Sequence, residues 1–298
     1  MAKVAIVTDS NCGLTQAQAK EMGIYMLPMT FLINDKMYRE ELDLSQEAFY
    51  EMIQQPGTSV STSQPSPAEL MEMWDRVLKE NDSLVHIPMS SGLSNSCQTA
   101  LMVAEDYNGK VEVVNNQRIS VTMRRSLEDA KVLVEQGWTA KQIKEKLEKE
   151  KANSSIYIMV DTLDYLKKGG RVTPAAALLG SVFNIKPILQ IQGEKLDAYA
   201  KTRGVKKAKR TMIEAIEKDM QGRFKWFVDK GEADINYSYS SCNDPEEVKE
   251  WVEELREAFP GYNIVGEPLS LVIGCHIGPG SLAVTVSRKI TPENCNED

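Results

Sequence analysis

The 298-residue sequence has few of the side chains on which metal, redox and acid–base chemistry depend. It contains two histidines, His86 and His276, and five cysteines that are scattered along the chain without any Cys-x-x-Cys pair. Structural zinc sites and disulfide frameworks both need regularly spaced ligands. We therefore expect no metal site and no disulfide bonds, which is typical of a reducing, cytoplasmic setting.

Long apolar runs and nucleotide-binding motifs are missing as well. No apolar stretch approaches the ~20 residues of a membrane span. The apolar run at residues 4–7 is too short for a signal peptide and is followed by Asp9. The Walker A, Gly-x-Gly-x-x-Gly and His-x-x-Glu-His patterns are absent, so we expect no cofactor. We expect no stable insertion into a membrane and at most transient contact with one.

Basic charge is in deficit, since 35 Lys and Arg residues stand against 43 Asp and Glu residues, for a formal net charge of −8. Phosphate contacts require a basic surface, so no nucleic-acid partner is expected. The basic residues are nevertheless clustered locally around Arg171 and from Arg203 to Arg210. Such a cluster is either a solvated helix face or a surface for an acidic partner or a phosphate group.

Short apolar runs alternate with amphipathic segments along the whole chain, a pattern typical of sheets wrapped by helices. With about 150 residues per domain, the length indicates two domains. We predict an α/β protein with domains at 1–157 and 158–298, each with a mostly parallel or mixed sheet flanked by helices. The predicted strands include residues 4–7, 24–33, 83–88, 111–115, 156–160, 187–192, 195–200, 234–240, 271–275 and 281–287. The predicted helices include residues 15–22, 45–55, 67–79, 162–168, 175–183 and 244–259.

Two hydroxyl-rich loops each lead into a predicted helix. The first, at residues 56–65, holds Thr62 and Ser63. The second follows the strand at 83–88 and holds Ser90, Ser91, Ser94 and Ser96. Free N–H groups at helix starts favour an anion, and hydroxyl groups add directed donors. In open α/β sheets a ligand lies beyond the carboxyl ends of the strands. The loops therefore predict either ordinary helix caps or a shared anion site.

The second loop also comes close to the Gly-x-Ser-x-Gly motif of serine hydrolases, with Ser96 in place of the last glycine. A lipid-directed hydrolase would use Ser94 as its nucleophile and His276 as its base. The adjacent Cys275 and His276 make a poor dyad on the predicted strand, because neighbouring side chains point to opposite faces. The turn that follows His276 also allows this histidine to complete an anion site.

The order and spacing of seven short motifs resemble the DegV family, whose members include the fatty-acid-binding (FakB) subunits of bacterial fatty acid kinase. The resemblance covers the whole chain. The motifs are Val7-Thr8-Asp9-Ser10, Thr62-Ser63-Gln64-Pro65-Ser66-Pro67, Ser90-Ser91-Gly92-Leu93-Ser94, Leu166-Lys167-Lys168-Gly169-Gly170-Arg171-Val172, Asn184-Ile185-Lys186-Pro187-Ile188-Leu189, Lys201-Thr202-Arg203 and His276-Ile277-Gly278-Pro279-Gly280.

The resemblance implies a carrier rather than an enzyme, with one long-chain fatty acid buried between two α/β domains. By analogy, Thr62 and Ser94 would bind the carboxylate directly and His276 would reach it, while Ser63 and Gly92 would line the pocket mouth. The family also implies that Arg171 and Arg203 lie beside the pocket entrance, where the ATP-dependent kinase subunit would dock. That subunit would convert the bound fatty acid to an acyl phosphate.

The chain departs from the family pattern after the loop serine. Family members often carry Gly-Thr-Tyr there, whereas Asn95-Ser96-Cys97 follows Ser94 in this sequence. The aromatic wall of that tyrosine is therefore missing, which changes the expected pocket shape. Two alternatives to the carrier stay open at this point: the serine hydrolase, and a regulatory module that senses a bound lipid.

Overall fold

The computed structural model describes residues 2–174 and 185–297, and the strands of this part of the chain form three sheets. The helix predicted at 175–183, and Asn184 of the fifth motif, lie outside the described residues. The strands are β1 Val4–Asp9, β2 Ile24–Leu27, β3 Thr30–Ile33, β4 Lys36–Arg39, β5 Val60–Ser63, β6 Ser83–Ile87, β7 Val111–Val113, β8 Ser154–Met159, β9 Ile185–Ile191, β10 Leu196–Arg203, β11 Ala233–Tyr239, β12 Val265–Pro268 and β13 Leu282–Arg288.

Most of the predicted helices are present with boundaries set by local capping. Ser66 caps α3 and forms a capping box with Glu69, as its motif predicts, with Pro67 at the first helical position. The helices are α1 Gln16–Glu21, α2 Gln46–Ile53, α3 Pro67–Val77, α4 Ser96–Ala104, α5 Ser120–Glu135, α6 Ala140–Lys149, α7 Asp164–Gly169, α8 Val205–Gln221, α9 Lys225–Val228, α10 Pro245–Ala258 and α11 Leu271–Ile277.

A parallel sheet of order β2-β1-β6-β7 organises the first half of the chain. Side chains on β1 alternate between its two faces: Val4 and Ile6 pack with α5 and α6, whereas Ala5 and Val7 pack with α3 and α4. Both faces are therefore covered by helices, which explains why β1 is apolar along nearly its whole length.

A mixed sheet of order β10-β9-β8-β13-β11-β12 organises the second half, with all pairs antiparallel except β11–β12. Helices α8 and α10 cover one of its faces. The other face is turned toward the first half, and α5 packs against both sheets. The α/β architecture with sheets flanked by helices is confirmed. The domain division at residue 157 stays a prediction, with β8 beginning at Ser154.

A third, antiparallel sheet of order β4-β3-β5 was not predicted. The strand predicted at 24–33 is two strands, β2 and β3, which belong to different sheets and are separated by Pro28. The loop predicted at 56–65 contains β5, which pairs with β3 so that Thr62 lies opposite Phe31. The polar residues of β5 show no apolar alternation, so the usual strand signal is absent.

The strand predicted at 271–275 is wrong, because these residues form helix α11. The Ser270 side chain caps the helix by accepting a hydrogen bond from the Ile273 amide at 3.2 Å. Nearly every residue of α11 is buried. A short segment that is apolar on all sides has no periodicity that distinguishes a helix from a buried strand.

The buried carboxyl group of Glu40 joins α11 to the small sheet. It accepts hydrogen bonds from the Leu271 amide and, at 3.5 Å, from the Val272 amide, while Ser10 donates to it at 3.1 Å. Burial raises the pKa of Glu40 to about 8, although these hydrogen bonds oppose the shift. The protonated form is therefore favoured in the folded protein more than in the unfolded chain.

The raised pKa of Glu40 predicts a pH-dependent stability. The folded state binds the extra proton between pH ~4.5, the ordinary glutamate value, and pH ~8, so stability falls as pH rises through this window. Glu40→Gln keeps the shape and one acceptor oxygen, which can serve the Leu271 amide, but cannot ionise. Urea unfolding at pH 5, 7 and 9 should show wild type losing stability relative to this variant, with an upper limit of about 5 kcal/mol at 1.36 kcal/mol per pKa unit.

A matched control for this prediction is Glu47→Gln, which changes an exposed glutamate on α2. Its stability should follow that of wild type at all three pH values. If wild type and Glu40→Gln keep a constant difference from pH 5 to 9, the buried carboxyl group is ionised throughout, and its pKa is not raised.

Candidate functional site

A cavity lies between the two larger sheets and beneath α11. It encloses about 1000 Å³ of space not filled by protein atoms, part of it open to solvent. Apolar side chains supply most of the lining. This apolar lining, with a few polar groups among it, is typical of sites for largely apolar ligands.

The inward face of the six-stranded sheet forms one apolar wall of the cavity. Ile156 and Ile158 on β8 line it, whereas the intervening Tyr157 and Met159 pack on the opposite face against α8. The alternation of a strand thus separates cavity residues from core residues. The further apolar lining residues are Met29, Met89, Leu93, Ile119, Val121, Leu166, Ile191, Leu196, Leu269, Val272, Ile273, Ile277 and Ala283.

Polar groups from β5 and α11 meet at one end of the cavity. The Thr62 hydroxyl lies 2.9 Å from Nε2 of His276, across 214 positions of sequence. Ser63, the next residue of β5, forms a hydrogen bond with the hydroxyl of Thr30 on β3. The structure therefore brings Thr62, Ser63 and His276 together at the cavity.

His276 is held as a neutral imidazole. Burial, together with the positive charge of Arg171, lowers its pKa to about 4. Its Nδ1 is buried with no hydrogen-bond partner in the described part of the chain. Buried N–H groups without a partner are rarer than under-satisfied acceptors. We therefore place the proton on Nε2, which donates to Thr62 and leaves the Thr62 O–H free to donate into the cavity.

Close contact with Gly169 holds the other edge of this imidazole. A Cβ atom at Gly169 would lie 2.2 Å from Nδ1 of His276, so no larger residue fits beside the ring in this position. From sequence alone, this glycine stands out only as part of the fourth motif, with no contact assigned to it. Its role depends on an imidazole 107 positions away, for which the local sequence carries no signal.

Ser94 lies in the loop before α4 and also lines the cavity. Its hydroxyl oxygen accepts hydrogen bonds from the Ser96 amide at 3.2 Å and from the Ser96 hydroxyl at 3.0 Å. A hydroxyl oxygen that accepts two hydrogen bonds still has its own proton to donate. Ser94 thus offers a second neutral donor, beside that of Thr62.

Gly92 brings the Ser94 loop against the β9–β10 turn of the second sheet. A Cβ atom at Gly92 would lie 2.2 Å from the carbonyl oxygen of Glu194, and the Ser90 hydroxyl donates to that carbonyl at 3.0 Å. Glycine at position 92 is therefore needed for close packing of the two halves of the chain. Gly92 is not among the residues that line the cavity.

The two arginines lie apart. Arg171 is exposed and lines the cavity. It precedes Val172, which pairs in parallel with Leu196 at the first residue of β10. Arg203 ends the same strand, roughly 23 Å further along at ~3.3 Å per residue. There it lines a separate surface concavity with Lys206, Lys207 and Arg210.

The geometry does not assemble the Ser94–His276 pair of a hydrolase. The Ser94 hydroxyl forms its hydrogen bond with Ser96, whereas Nε2 of His276 forms its hydrogen bond with Thr62. His86 is buried, accepts a hydrogen bond from Trp74 at 2.9 Å and has its pKa lowered to about 3 by burial. Within residues 2–174 and 185–297, no cluster of three or more His, Cys, Asp or Glu side chains is placed to hold a metal ion.

In the described ranges, no helix has the length and apolar character needed to cross a membrane.

Comparison with known proteins gives a consistent result over nearly the full chain. The family model described as "Uncharacterised protein, DegV family" matches residues 3–289. The chain is 31% identical over 288 residues to a DegV domain-containing protein of Streptomyces coelicolor, covering 96% of this chain and 99% of that protein. It is 28% identical over 284 residues to protein DegV of Bacillus subtilis, covering 94% and 98%.

Solved structures show the same similarity. A fatty-acid-binding DegV family protein from Thermus thermophilus superposes with a TM-score of 0.85 at 26% identity, covering 96% of this chain and 99% of that one. The crystal structure of DegV, a fatty acid binding protein from Bacillus subtilis, superposes with a TM-score of 0.83 at 27% identity, covering 97% and 100%.

The burial of the two histidines predicts the pH range in which their imidazole rings take up a proton. Because burial lowers both pKa values below the ordinary ~6.5, neither imidazole should titrate between pH 5 and 8 in NMR spectra of the folded protein. The two neutral rings make their full contribution to the free energy of unfolding above pH ~6.5. This contribution is lost as pH falls toward 4. Arg171→Ala should raise the pKa of His276 and leave that of His86 unchanged.

Arg203→Ala is the control, because Arg203 lies at the far end of β10. It should leave both histidines as in wild type. A His276 resonance that titrates near pH 6.5 in wild type would show that the ring is solvated and does not hold Thr62 as described.

Proposed function

Because this chain belongs to the DegV family, we propose that it binds one long-chain fatty acid in its cavity and presents the carboxylate to a separate ATP-dependent kinase subunit. The observation that carries the proposal is the combination of an apolar cavity with two hydroxyl groups, those of Thr62 and Ser94, that retain protons to donate at its lining. The fatty-acid-binding relatives from Thermus thermophilus and Bacillus subtilis support the same ligand class.

The acyl chain supplies most of the affinity in this proposal. Burial of ~15 methylene groups at ~0.8 kcal/mol each offers up to about 12 kcal/mol. The wall formed by Ile156, Ile158 and the other apolar lining residues matches such a chain. The affinity gained by burying the acyl chain does not depend on the head group. The polar end of the cavity can therefore orient the carboxylate.

The carboxylate is held by neutral donors. Hydrogen bonds to a charged group contribute ~1.5–3 kcal/mol each and must offset the cost of removing the carboxylate from water. The proton on Nε2 of His276 donates to Thr62, so Thr62 donates onward to the ligand. A carboxylate bound in this way keeps its oxygen lone pairs available for attack on a phosphoryl group.

The kinase subunit would approach where the cavity meets solvent. Arg171 is the exposed cation among the lining residues described, and its guanidinium suits an acidic partner surface or a transferred phosphate. Arg203 lines a separate concavity of mixed charge, where the basic residues Lys206, Lys207 and Arg210 lie with Glu214, Glu254 and Glu257. In this arrangement the chain orients the substrate, and catalysis belongs to the partner.

The ligand proposal is tested by Thr62→Val and Ser94→Ala. Each removes one donor to the carboxylate and should weaken binding of oleic acid by about tenfold, as expected for one hydrogen bond to a charged group. Delipidated protein and isothermal titration calorimetry measure this. Denaturing mass spectrometry of protein purified from a heterologous host should also show a bound fatty acid.

Ser61→Ala is the matched control, since Ser61 is an exposed neighbour on β5 that does not line the cavity. Its affinity should equal that of wild type. If wild type binds neither oleic nor palmitic acid and carries no lipid from its host, the proposed function is wrong.

The docking proposal is tested by Arg171→Ala and Arg203→Ala. Both should leave oleic acid affinity within about twofold of wild type and lower acyl phosphate formation by a fatty acid kinase ATP-binding subunit by tenfold or more. The exposed Arg76 on α3 provides the control variant, Arg76→Ala, which should not change turnover. An arginine variant that abolishes lipid binding would place that residue in the ligand site instead.

A further inference from the structure

We propose that the cavity is adapted to a fatty acid with a hydroxyl group near the middle of its chain, and that Ser120 recognises this group. The inference rests on the proposed function, because it names the class of fatty acid that the same cavity selects. It comes from a polar group in the cavity that neither the fold nor the carboxylate site uses.

Ser120 is a buried cavity residue whose hydroxyl lacks a partner. Its side chain is 5% exposed, and Oγ has no hydrogen-bond partner in the described ranges of the chain. It is the first residue of α5, yet its φ of 53° lies in the left-handed region that side chains with a Cβ seldom adopt. Strained backbone and unpaired buried polar groups are both unfavourable for folding and are characteristic of functional sites.

Two more hydroxyl residues line the cavity on the sheet that α5 contacts. Ser238 on β11 and Thr285 on β13 lie on neighbouring antiparallel strands, on the face turned to the cavity. The Thr285 hydroxyl donates to the Asn236 carbonyl at 3.4 Å, which leaves its oxygen able to accept. The three side chains together offer both a donor and an acceptor to a ligand hydroxyl group.

Ser120 lies near the start of α11, whereas His276 and its partner Thr62 lie near the end of this helix. Asn11 connects Ser120 to the start of this helix, because its carbonyl accepts from the Ser120 amide at 2.7 Å and its side chain accepts from Ser270 at 3.0 Å. His276 lies six residues further along, or about 9 Å at 1.5 Å per residue.

This separation sets the position of the ligand hydroxyl. An extended hydrocarbon advances about 1.3 Å per carbon, given bonds near 1.5 Å. The path along α11 and on to the Thr62 hydroxyl, which lies 2.9 Å from Nε2 of His276, is therefore ~12 Å long and corresponds to about nine carbons. A hydroxyl group on this part of an 18-carbon acid reaches the polar set while both apolar segments of the chain stay buried.

An unsubstituted acid gains nothing from the three hydroxyl groups, since a methylene group cannot pair with them. In an apolar cavity without partners, an added ligand hydroxyl would instead weaken binding, because its removal from water is not compensated. The sign of the affinity difference between hydroxylated and plain acids therefore distinguishes a polar recognition site from an ordinary hydrocarbon pocket.

The test offers delipidated full-length protein an equimolar mixture of 10-hydroxystearic and stearic acids and measures the bound ratio by native mass spectrometry. Wild type should favour the hydroxylated acid by about fivefold or more, as expected for at least one added hydrogen bond. The bound ratio compares both acids in one mixture, so in Ser120→Ala the preference for the hydroxylated acid should fall below about twofold. Ser238→Ala is a second variant and should also lower this preference.

Ser287→Ala is the matched control, because the Ser287 hydroxyl is also buried and unpartnered but does not line the cavity. It should retain the wild-type preference. Wild-type protein that binds stearic acid but disfavours 10-hydroxystearic acid would overturn this inference and leave the proposed function standing. Protein that binds neither acid would overturn both. Preference for 2-hydroxystearic acid over the 10-hydroxy isomer would place the polar set at the head group and overturn the inference as well.

Discussion

The carboxyl group of Glu40 meets the first amide groups of α11, and this contact positions a helix on which the whole cavity depends. Helix α11 carries Val272 and Ile273 of the apolar wall as well as His276 of the polar end. Glu40 follows β4, so the small sheet fixes a helix that is encoded about 230 positions later. The cavity therefore forms only when all three sheets are assembled around one buried, hydrogen-bonded acid.

Elements with local causes were predictable from sequence. The capping box at Ser66 determines the start of α3, and the turn at Gly193-Glu194 joins two strands that are antiparallel in the structure. Elements whose identity depends on distant partners were not predictable. Helix α11 is apolar on all sides, and β5 is polar along its length, so neither carries the periodicity from which a helix or strand is inferred. Both contribute to the candidate site.

The same distinction applies to individual site residues. The loops that hold Thr62 and Ser94 could be singled out because hydroxyl groups before helices have a local chemical meaning, and the family resemblance then favoured these two residues. The tight packing of Gly169 on His276 has no counterpart in the neighbouring sequence, and neither does the distance between Arg171 and Arg203. Each arginine lies beside glycine in sequence, but only the pairing of Val172 with Leu196 shows that Arg171 lies near the start of β10, whereas Arg203 is its last residue.

The proposed function, in which the chain holds a fatty acid and presents its carboxylate to a kinase subunit, places opposing requirements on the polar end of the cavity. A buried guanidinium would bind the carboxylate strongly through paired hydrogen bonds, but it would also draw electron density away from the oxygen that must attack phosphorus. Hydroxyl donors avoid this conflict, because the apolar tail already supplies the affinity. The neutral His276 completes the arrangement by directing the Thr62 proton, and Arg171 is left at the exposed edge, where charge can act on the incoming phosphate or partner.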